Sequence, residues 1–223
     1  MGLLLSSSLM NAMQSNSPPA RSAGKLRVVF LTPSLHVGGA EQWILSLARS
    51  FLHVEPAGVV LCAPHFHPHV LQQAARLMPV YVAKKYGDPR ETRRLLERAS
   101  ITADVLVTWG ILAPGLAGRT RTWPQEGLPV IDVSHSGGAW QQQTRMVRRA
   151  TDGADFHVAV SRCALRAFPE EVRDRAVVIY NGAEVDRVAP RSCPPLPKRK
   201  GTRETALFPA RFERAKGLER LRA

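Results

Sequence analysis

Cysteine is scarce in this sequence, with three in 223 residues. Cys62, Cys163 and Cys193 share no metal-ligand spacing, and an odd, sparse count argues against a disulfide framework and for a reducing compartment. Cys62 sits in an apolar run and reads as a small core residue. No stretch of about 18 apolar residues occurs, so no transmembrane helix is expected. Leu3-Leu4-Leu5 is too short for the core of a signal peptide, and no cation precedes it. The spacing G-x-G-x-x-G is missing, which disfavours a nicotinamide or flavin cofactor. Aromatic residues make up only 6% of the chain. They do not alternate with cations, which argues against a nucleic-acid stacking track. Acidic residues are few: 18 Asp and Glu stand against 31 Lys and Arg, a formal net charge of +13. Such a surface favours anionic partners, among them phosphates, nucleotides and acidic membrane. The arginines are scattered (Arg93, Arg94, Arg119, Arg121, Arg145, Arg148, Arg149), a pattern of solvated faces more than of a nucleic-acid footprint.

What the sequence does have is recurrent strand-length apolar runs with helical stretches between them. The strands are expected at Leu26 to Leu31, Gly58 to Ala63, Val80 to Ala83, Asp104 to Thr108, Val130 to Val133, Phe156 to Val160 and Val177 to Tyr180. The helices are expected at Glu41 to Leu52, Val70 to Leu77, Pro89 to Ala99, Trp140 to Ala150 and Arg162 to Phe168. Continuous Val/Ile/Leu character means strands buried on both faces, hence a parallel sheet covered by helices. The fold class is therefore α/β, a doubly wound Rossmann-like parallel sheet. Such sheets bind ligands beyond the carboxyl ends of their strands. That points to the loops Thr32 to Gly39, Trp109 to Gly115 and Ser134 to Ala139, and to Ser161. Residues 1–24 read as a disordered tail, or as an over-long start with Met10 or Met13 as alternatives. Residues 25–188 form the Rossmann-like domain. Residues 189–204 have linker composition, with four prolines and Lys198-Arg199-Lys200. Residues 205–223 open a second domain that has no room to finish.

Two loops carry phosphate chemistry. Gly38 and Gly39 in Val37-Gly38-Gly39-Ala40-Glu41 let backbone N–H groups approach a ligand, and the helix that follows aims its positive end there. Arg211 and Lys216, with Gly217 next, can hold two phosphate groups from a strand-to-helix loop, where growing negative charge on a leaving diphosphate would be stabilised. The other reading of that pair is a solvated basic turn, which composition alone favours. His135 in Val133-Ser134-His135-Ser136-Gly137-Gly138 follows the fifth strand. It can reach a bound sugar there, or serve as a structural histidine bonded to local backbone. His65, His67 and His69 alternate in a loop with Pro64 and Pro68, a poor metal cage without a fourth ligand, so no metal is assigned. Spacing supports neither a Ser/His/Asp set nor paired carboxylates.

Arg27-Val28-Val29-Phe30-Leu31, Gly38-Gly39-Ala40-Glu41, Val158-Ala159-Val160-Ser161, Val178-Ile179-Tyr180-Asn181-Gly182 and Arg211 with Lys216-Gly217 stand in one order and separation. From about residue 25 to the last, the chain resembles family 4 glycosyltransferases of the GT-B fold, as an amino-terminal domain with the second domain largely missing. The resemblance implies retaining transfer of a sugar from a nucleotide-sugar donor to an acceptor hydroxyl, with no cofactor beyond the donor substrate. It implies that His135 hydrogen-bonds near the reacting sugar and that Gly38 and Gly39 line the donor-phosphate and acceptor side of the cleft. Arg211 and Lys216 would hold the diphosphate, while Asn181 and Gly182 shape the interdomain turn. The sequence departs from the family in having Ala210 before the clamp arginine and Ala215 before the clamp lysine. The family's late pair of glutamates has no counterpart.

The expected function is thus a retaining glycosyltransferase in truncated form, inactive alone. The alternative is a non-enzymatic acceptor- or phosphate-binding remnant, or half of a split transferase. Expected partners are a nucleotide-sugar and a sugar or lipid-linked acceptor, not nucleic acid. The expected place is the cytoplasm, with peripheral contact at the inner membrane face.

Overall fold

The first strand sets the architecture. In β1 (Leu26–Thr32), every residue after Leu26 is buried. Alternate side chains of a strand point to opposite faces, so a strand buried this completely has to be covered on both. The computed structural model describes residues 24–50, 52–85, 88–109, 128–135, 154–166 and 168–182, and it shows that cover. Val28 and Phe30 pack with Ile44 and Leu45 of α1 (Gly39–Ser50) and with Val70, Leu71 and Ala74 of α2 (Pro68–Leu77). Val29 and Leu31 pack on the other face with Leu96 and Ala99 of α3 (Pro89–Ser100).

The remaining strands are β2 (Val54–Leu61), β3 (Val80–Val82), β4 (Val105–Trp109), β5 (Val130–Ser134), β6 (Phe156–Ala159) and β7 (Val177–Val178). They form one seven-stranded sheet in the order β3-β2-β1-β4-β5-β6-β7, with every pairing parallel. The connection from β1 runs one way to β2, and the chain then returns past β1 to β4. That reversal makes the carboxyl ends of β1 and β4 the switch point of the sheet, the place where ligands of doubly wound sheets bind.

Local chemistry explains the elements. Asp88 caps α3 by accepting from the N–H groups of Arg90 at 3.0 Å and Glu91 at 3.1 Å, and Pro89 takes the first turn, where its missing N–H costs nothing. Two short helices follow β6, α4 (Arg162–Leu165) and α5 (Glu170–Arg173). Ala164, Phe168 and Val172 from this region close a small third core against Ala159. The amino-terminal edge of the sheet is stitched by a repeated device. In Ala103-Asp104-Val105 and Ala154-Asp155-Phe156, each aspartate immediately precedes a strand. The Asp104 carboxylate accepts from the Arg27 N–H and the Asp155 carboxylate from the Val130 N–H, both at 2.8 Å. Their own N–H groups donate back to the carbonyls of Arg27 and Val130.

The structure departs from the sequence expectation in instructive places. The second strand begins at Val54, not Gly58, because it passes through Pro56 and Gly58 on a bulge: Val28 pairs with Pro56 and Val29 with Gly58, leaving Ala57 as the extra residue. β3 joins only from Val59 onward, so the proline leaves no donor missing from that ladder. The seventh strand is two residues long, although the N–H of Ile179 still reaches the carbonyl of Ala159 at 2.9 Å. Helix α5 was not anticipated. The later strands are less apolar than expected, since the register sets Thr108, Asp132 and His157 side by side on β4, β5 and β6 and all three are buried. Cys62 is fully buried just past β2, and burial pushes its thiol up to about 12, as a core residue requires. The helix expected at Trp140 to Ala150, the linker and the start of the second domain lie outside the described residues, as does the tail apart from Gly24.

Replacing Asp104 with Ala removes the acceptor of the Arg27 N–H, and we expect a loss of about 1–3 kcal/mol in denaturant unfolding. Asp104→Asn, which keeps an acceptor oxygen, should lose less. Gly58 sits at φ +159 with room for a Cβ only 3.1 Å from the Pro79 carbonyl oxygen, which is backbone and cannot swing away. Gly58→Ala should lower the free energy of unfolding by a comparable amount, about 1–3 kcal/mol, read from denaturant titration.

Candidate active site at the carboxyl edge of the sheet

The loop from β1 to α1 is built to hold Gly38 and Gly39 still. The Thr32 hydroxyl donates to the Ser34 carbonyl at 2.8 Å and turns the chain as it leaves the strand. Leu35, fully buried, is clasped by the β2–α2 loop: its N–H donates to the His65 carbonyl at 2.9 Å and its carbonyl accepts from the His67 N–H at 2.8 Å. The two loops therefore continue the β1–β2 pairing past the strand ends. Gly39 is the first residue of α1, and a Cβ built on it would meet nothing within 4 Å. Open space above the backbone at a helix start is what close approach of a ligand needs.

Gly38 differs. A Cβ there would lie 2.5 Å from Glu41 Oε2, so the carboxylate of Glu41 folds back over this glycine. The Ser34 hydroxyl donates to Glu41 Oε1 at 3.5 Å. A carboxylate in the first turn complements the positive end of the helix. An incoming anion at this point has to displace it.

His135 follows β5 directly. Its base is fixed because the Ser134 hydroxyl donates to the Ala164 carbonyl at 3.0 Å and the Ser134 carbonyl accepts from the Val160 N–H at 3.0 Å. Its ring meets the indole of Trp43 edge to face, with centroids 5.0 Å apart and planes at 73°. Trp43 lies four residues into α1 from Gly39, about 6 Å along the axis, so this contact brings His135 to the same rim as the glycine turn. Burial lowers the His135 pKa from 6.5 to about 4, leaving a neutral imidazole with one donor and one acceptor nitrogen. Ser161 caps α4, its hydroxyl oxygen accepting from the Ala164 N–H at 3.0 Å.

Of the residues singled out from sequence, Gly38, Gly39 and His135 thus share one edge of the sheet. Arg211 and Lys216 lie outside the described residues. Asn181 and Gly182 are exposed just past β7. His65 and His67 are exposed in the β2–α2 loop, but His69, expected in that loop, lies exposed in the first turn of α2, where its ring Nε2 is 2.8 Å from the Gln73 amide nitrogen one turn on. No group of three or more His, Cys, Asp or Glu side chains that could hold a metal occurs among the described residues. Nor is any described helix long and apolar enough to cross a membrane. Trp43 and the folded-back Glu41 carboxylate were missed from sequence. The bulky aromatic one turn after the glycine pair was the available signal for Trp43.

An all-parallel, Rossmann-like sheet with a glycine turn and a histidine on its carboxyl edge defines a class of ligand-binding α/β domain, and comparison with known proteins narrows it. The family model described as Glycosyltransferase Family 4 matches residues 37–187. The chain belongs to that family. Among solved structures, HepE of Anabaena, determined in complex with UDP-glucose, superposes with a TM-score of 0.54 at 17% identity over 72% of this chain and 45% of that one. The lipopolysaccharide outer core galactosyltransferase WaaB, in its apo form, superposes with a TM-score of 0.52 at 12% identity over 71% of this chain and 46% of that one. These likenesses place the sheet as the Rossmann-like half of a GT-B fold, and the chain spans under half the length of either structure. No curated protein matches the sequence.

The His135 shift predicts a pH signature. The folded ring binds a proton less readily than an unfolded one, so the stability it supports is full above about pH 6.5 and is lost as pH falls toward 4. His157, also lowered by burial, acts in the same direction, so the comparison has to be between variants. The stability gap between the parent chain and His135→Gln should narrow as urea titrations move from pH 7 to pH 4. A constant gap would mean that the ring is not desolvated.

Proposed function

We propose that this chain supplies the acceptor-side wall of a retaining glycosyltransferase that moves a sugar from a nucleotide-sugar to an acceptor hydroxyl. The observation that carries the reading is the position of His135, a neutral, desolvated imidazole on the carboxyl edge of a sheet within the family-matched segment. In this reading residues 25–188 are the acceptor-side domain, 189–204 the linker and 205–223 the start of the nucleotide-sugar-binding domain. His135 hydrogen-bonds a hydroxyl of the reacting sugar. Gly39 lets the donor phosphate or the acceptor approach the start of α1, and Gly38 does so once Glu41 swings aside. Arg211 and Lys216 hold the diphosphate, where negative charge grows as the glycosidic bond breaks. No cofactor is assigned beyond the donor. HepE, captured with UDP-glucose, makes uridine diphosphate sugars the first donors to try. The charge of +13 supports peripheral contact at an acidic membrane face, and the proposal includes a cytoplasmic place and a sugar or lipid-linked acceptor.

The chain covers less than half of the solved structures it matches. We therefore expect these 223 residues alone to show little or no turnover. Calorimetric titration of a nucleotide-sugar panel should give stronger binding to a version joined to a complete second domain than to this chain. Turnover by the joined version, with the anomeric configuration of the product read by NMR, tests the stereochemistry. Efficient turnover by the 223 residues alone would overturn the division of labour, and an inverted product would overturn the retaining assignment. Nucleotide-sugar or acceptor binding without turnover in either form would favour a non-enzymatic binding module.

A further inference from the structure

The contact between Trp43 and His135 joins elements that the sheet itself keeps apart. β1 carries the chain into α1, and β4 lies between β1 and β5. The two outer strands of that trio are about 10 Å apart. A large side chain is needed to cross from the α1 layer to the end of β5, and an indole is the largest available. Trp43 is itself held from below. Its ring meets Phe30 at 6.4 Å between centroids with planes at 82°, and Phe30 has no exposure to solvent. Three rings, each nearly perpendicular to the next, thus run from the core of β1 to the rim. Perpendicular aromatic contacts are directional, because the positive edge of one ring seeks the negative face of the next.

We propose that Trp43 is the positioning residue for His135, holding the imidazole in one orientation at the mouth of the cleft so that its nitrogens present a fixed direction to the sugar. The role rests on the proposed part of His135 in transfer, but the orientation can be tested without it. Trp43 need not touch the substrate, and a smaller side chain would remove the edge-to-face contact that it makes with the imidazole.

The test is NMR of the full chain, with the His135 ring protons assigned by comparison with His135→Gln. In the parent chain those protons should be displaced from free-imidazole positions by the indole ring current. That shift vanishes with the indole itself, so orientation is read from the His135 Hα–Hβ couplings: single-rotamer values in the parent chain, averaged values in Trp43→Leu and a smaller change in Trp43→Phe, with backbone amide dispersion kept. If Trp43→Leu does not fold, Trp43→Phe decides. Couplings that keep their single-rotamer values in Trp43→Leu, or in Trp43→Phe where Trp43→Leu does not fold, would overturn the proposal. UDP-glucose added to the parent chain and to the version with a complete second domain tests the separate premise. His135 ring signals that ignore the nucleotide-sugar in both would remove the role in transfer and leave the positioning contact standing.

Discussion

Burial of β1 on both faces is the constraint from which the rest follows. Val28 and Phe30 enter one helical layer while Val29 and Leu31 enter the other, so neither face of the sheet is available for chemistry. Only the edges remain. Parallel strands make the two edges unlike, because every helix returning to the sheet delivers its positive end to the carboxyl side. The amino side carries closing bonds instead, the two aspartate stitches at Asp104 and Asp155. A glycine turn and a histidine share the carboxyl edge because both lie in segments that leave strands there.

The fold was legible where burial writes itself into composition. Val28–Leu31 of β1, Val80–Val82 of β3 and Val105–Val107 of β4 are continuous apolar runs, and the helices on the two faces show their stripes. The part of the candidate site that could be named from sequence lies in the segments that leave the strands, Gly38 and Gly39 after β1 and His135 after β5. Elsewhere the controlling contacts are distant in sequence. Pro56-Ala57-Gly58 reads as a breaker, and only the late arrival of β3 at Val59 makes a bulged strand workable there. Asp132 and His157 look like interruptions of their strands until the register sets them beside each other. Trp43 reads as an ordinary core-facing helix residue, and nothing local says that its ring ends against His135.

The same edge shows why counting charge is a poor guide to what a site holds. The chain carries a net +13, yet at the start of α1 the group over Gly38 is the chain's own carboxylate. Glu41 neutralises part of the helix end that an external phosphate would otherwise find vacant. Its tether is weak, a single contact of 3.5 Å from Ser34 at the long limit for a hydrogen bond. A flexible side chain so held can be displaced by a doubly charged diphosphate, or can stay and accept from an acceptor hydroxyl. In the proposed function the net positive charge would favour the approach of anions, and Glu41 would oppose them at close range.

A neutral histidine is also the sensible choice for the proposed reaction. As a sugar leaves its diphosphate, positive charge develops on the ring carbon, in the manner of an oxocarbenium ion. A protonated imidazole beside that carbon would repel it and raise the barrier. A neutral one can accept or donate a hydrogen bond at a sugar hydroxyl with no such penalty. Burial supplies the neutral form by pushing the His135 pKa to about 4, so the ring stays uncharged across the working pH range. Cations belong on the opposite side of the breaking bond, where the diphosphate gains negative charge, and that is the role proposed above for Arg211 and Lys216. A cleft with two walls can keep these demands apart: one wall desolvated and neutral against the sugar, the other cationic against the leaving group. Crowding both into one short loop would put a fixed positive charge close enough to the imidazole to spoil its neighbourhood for the developing cation.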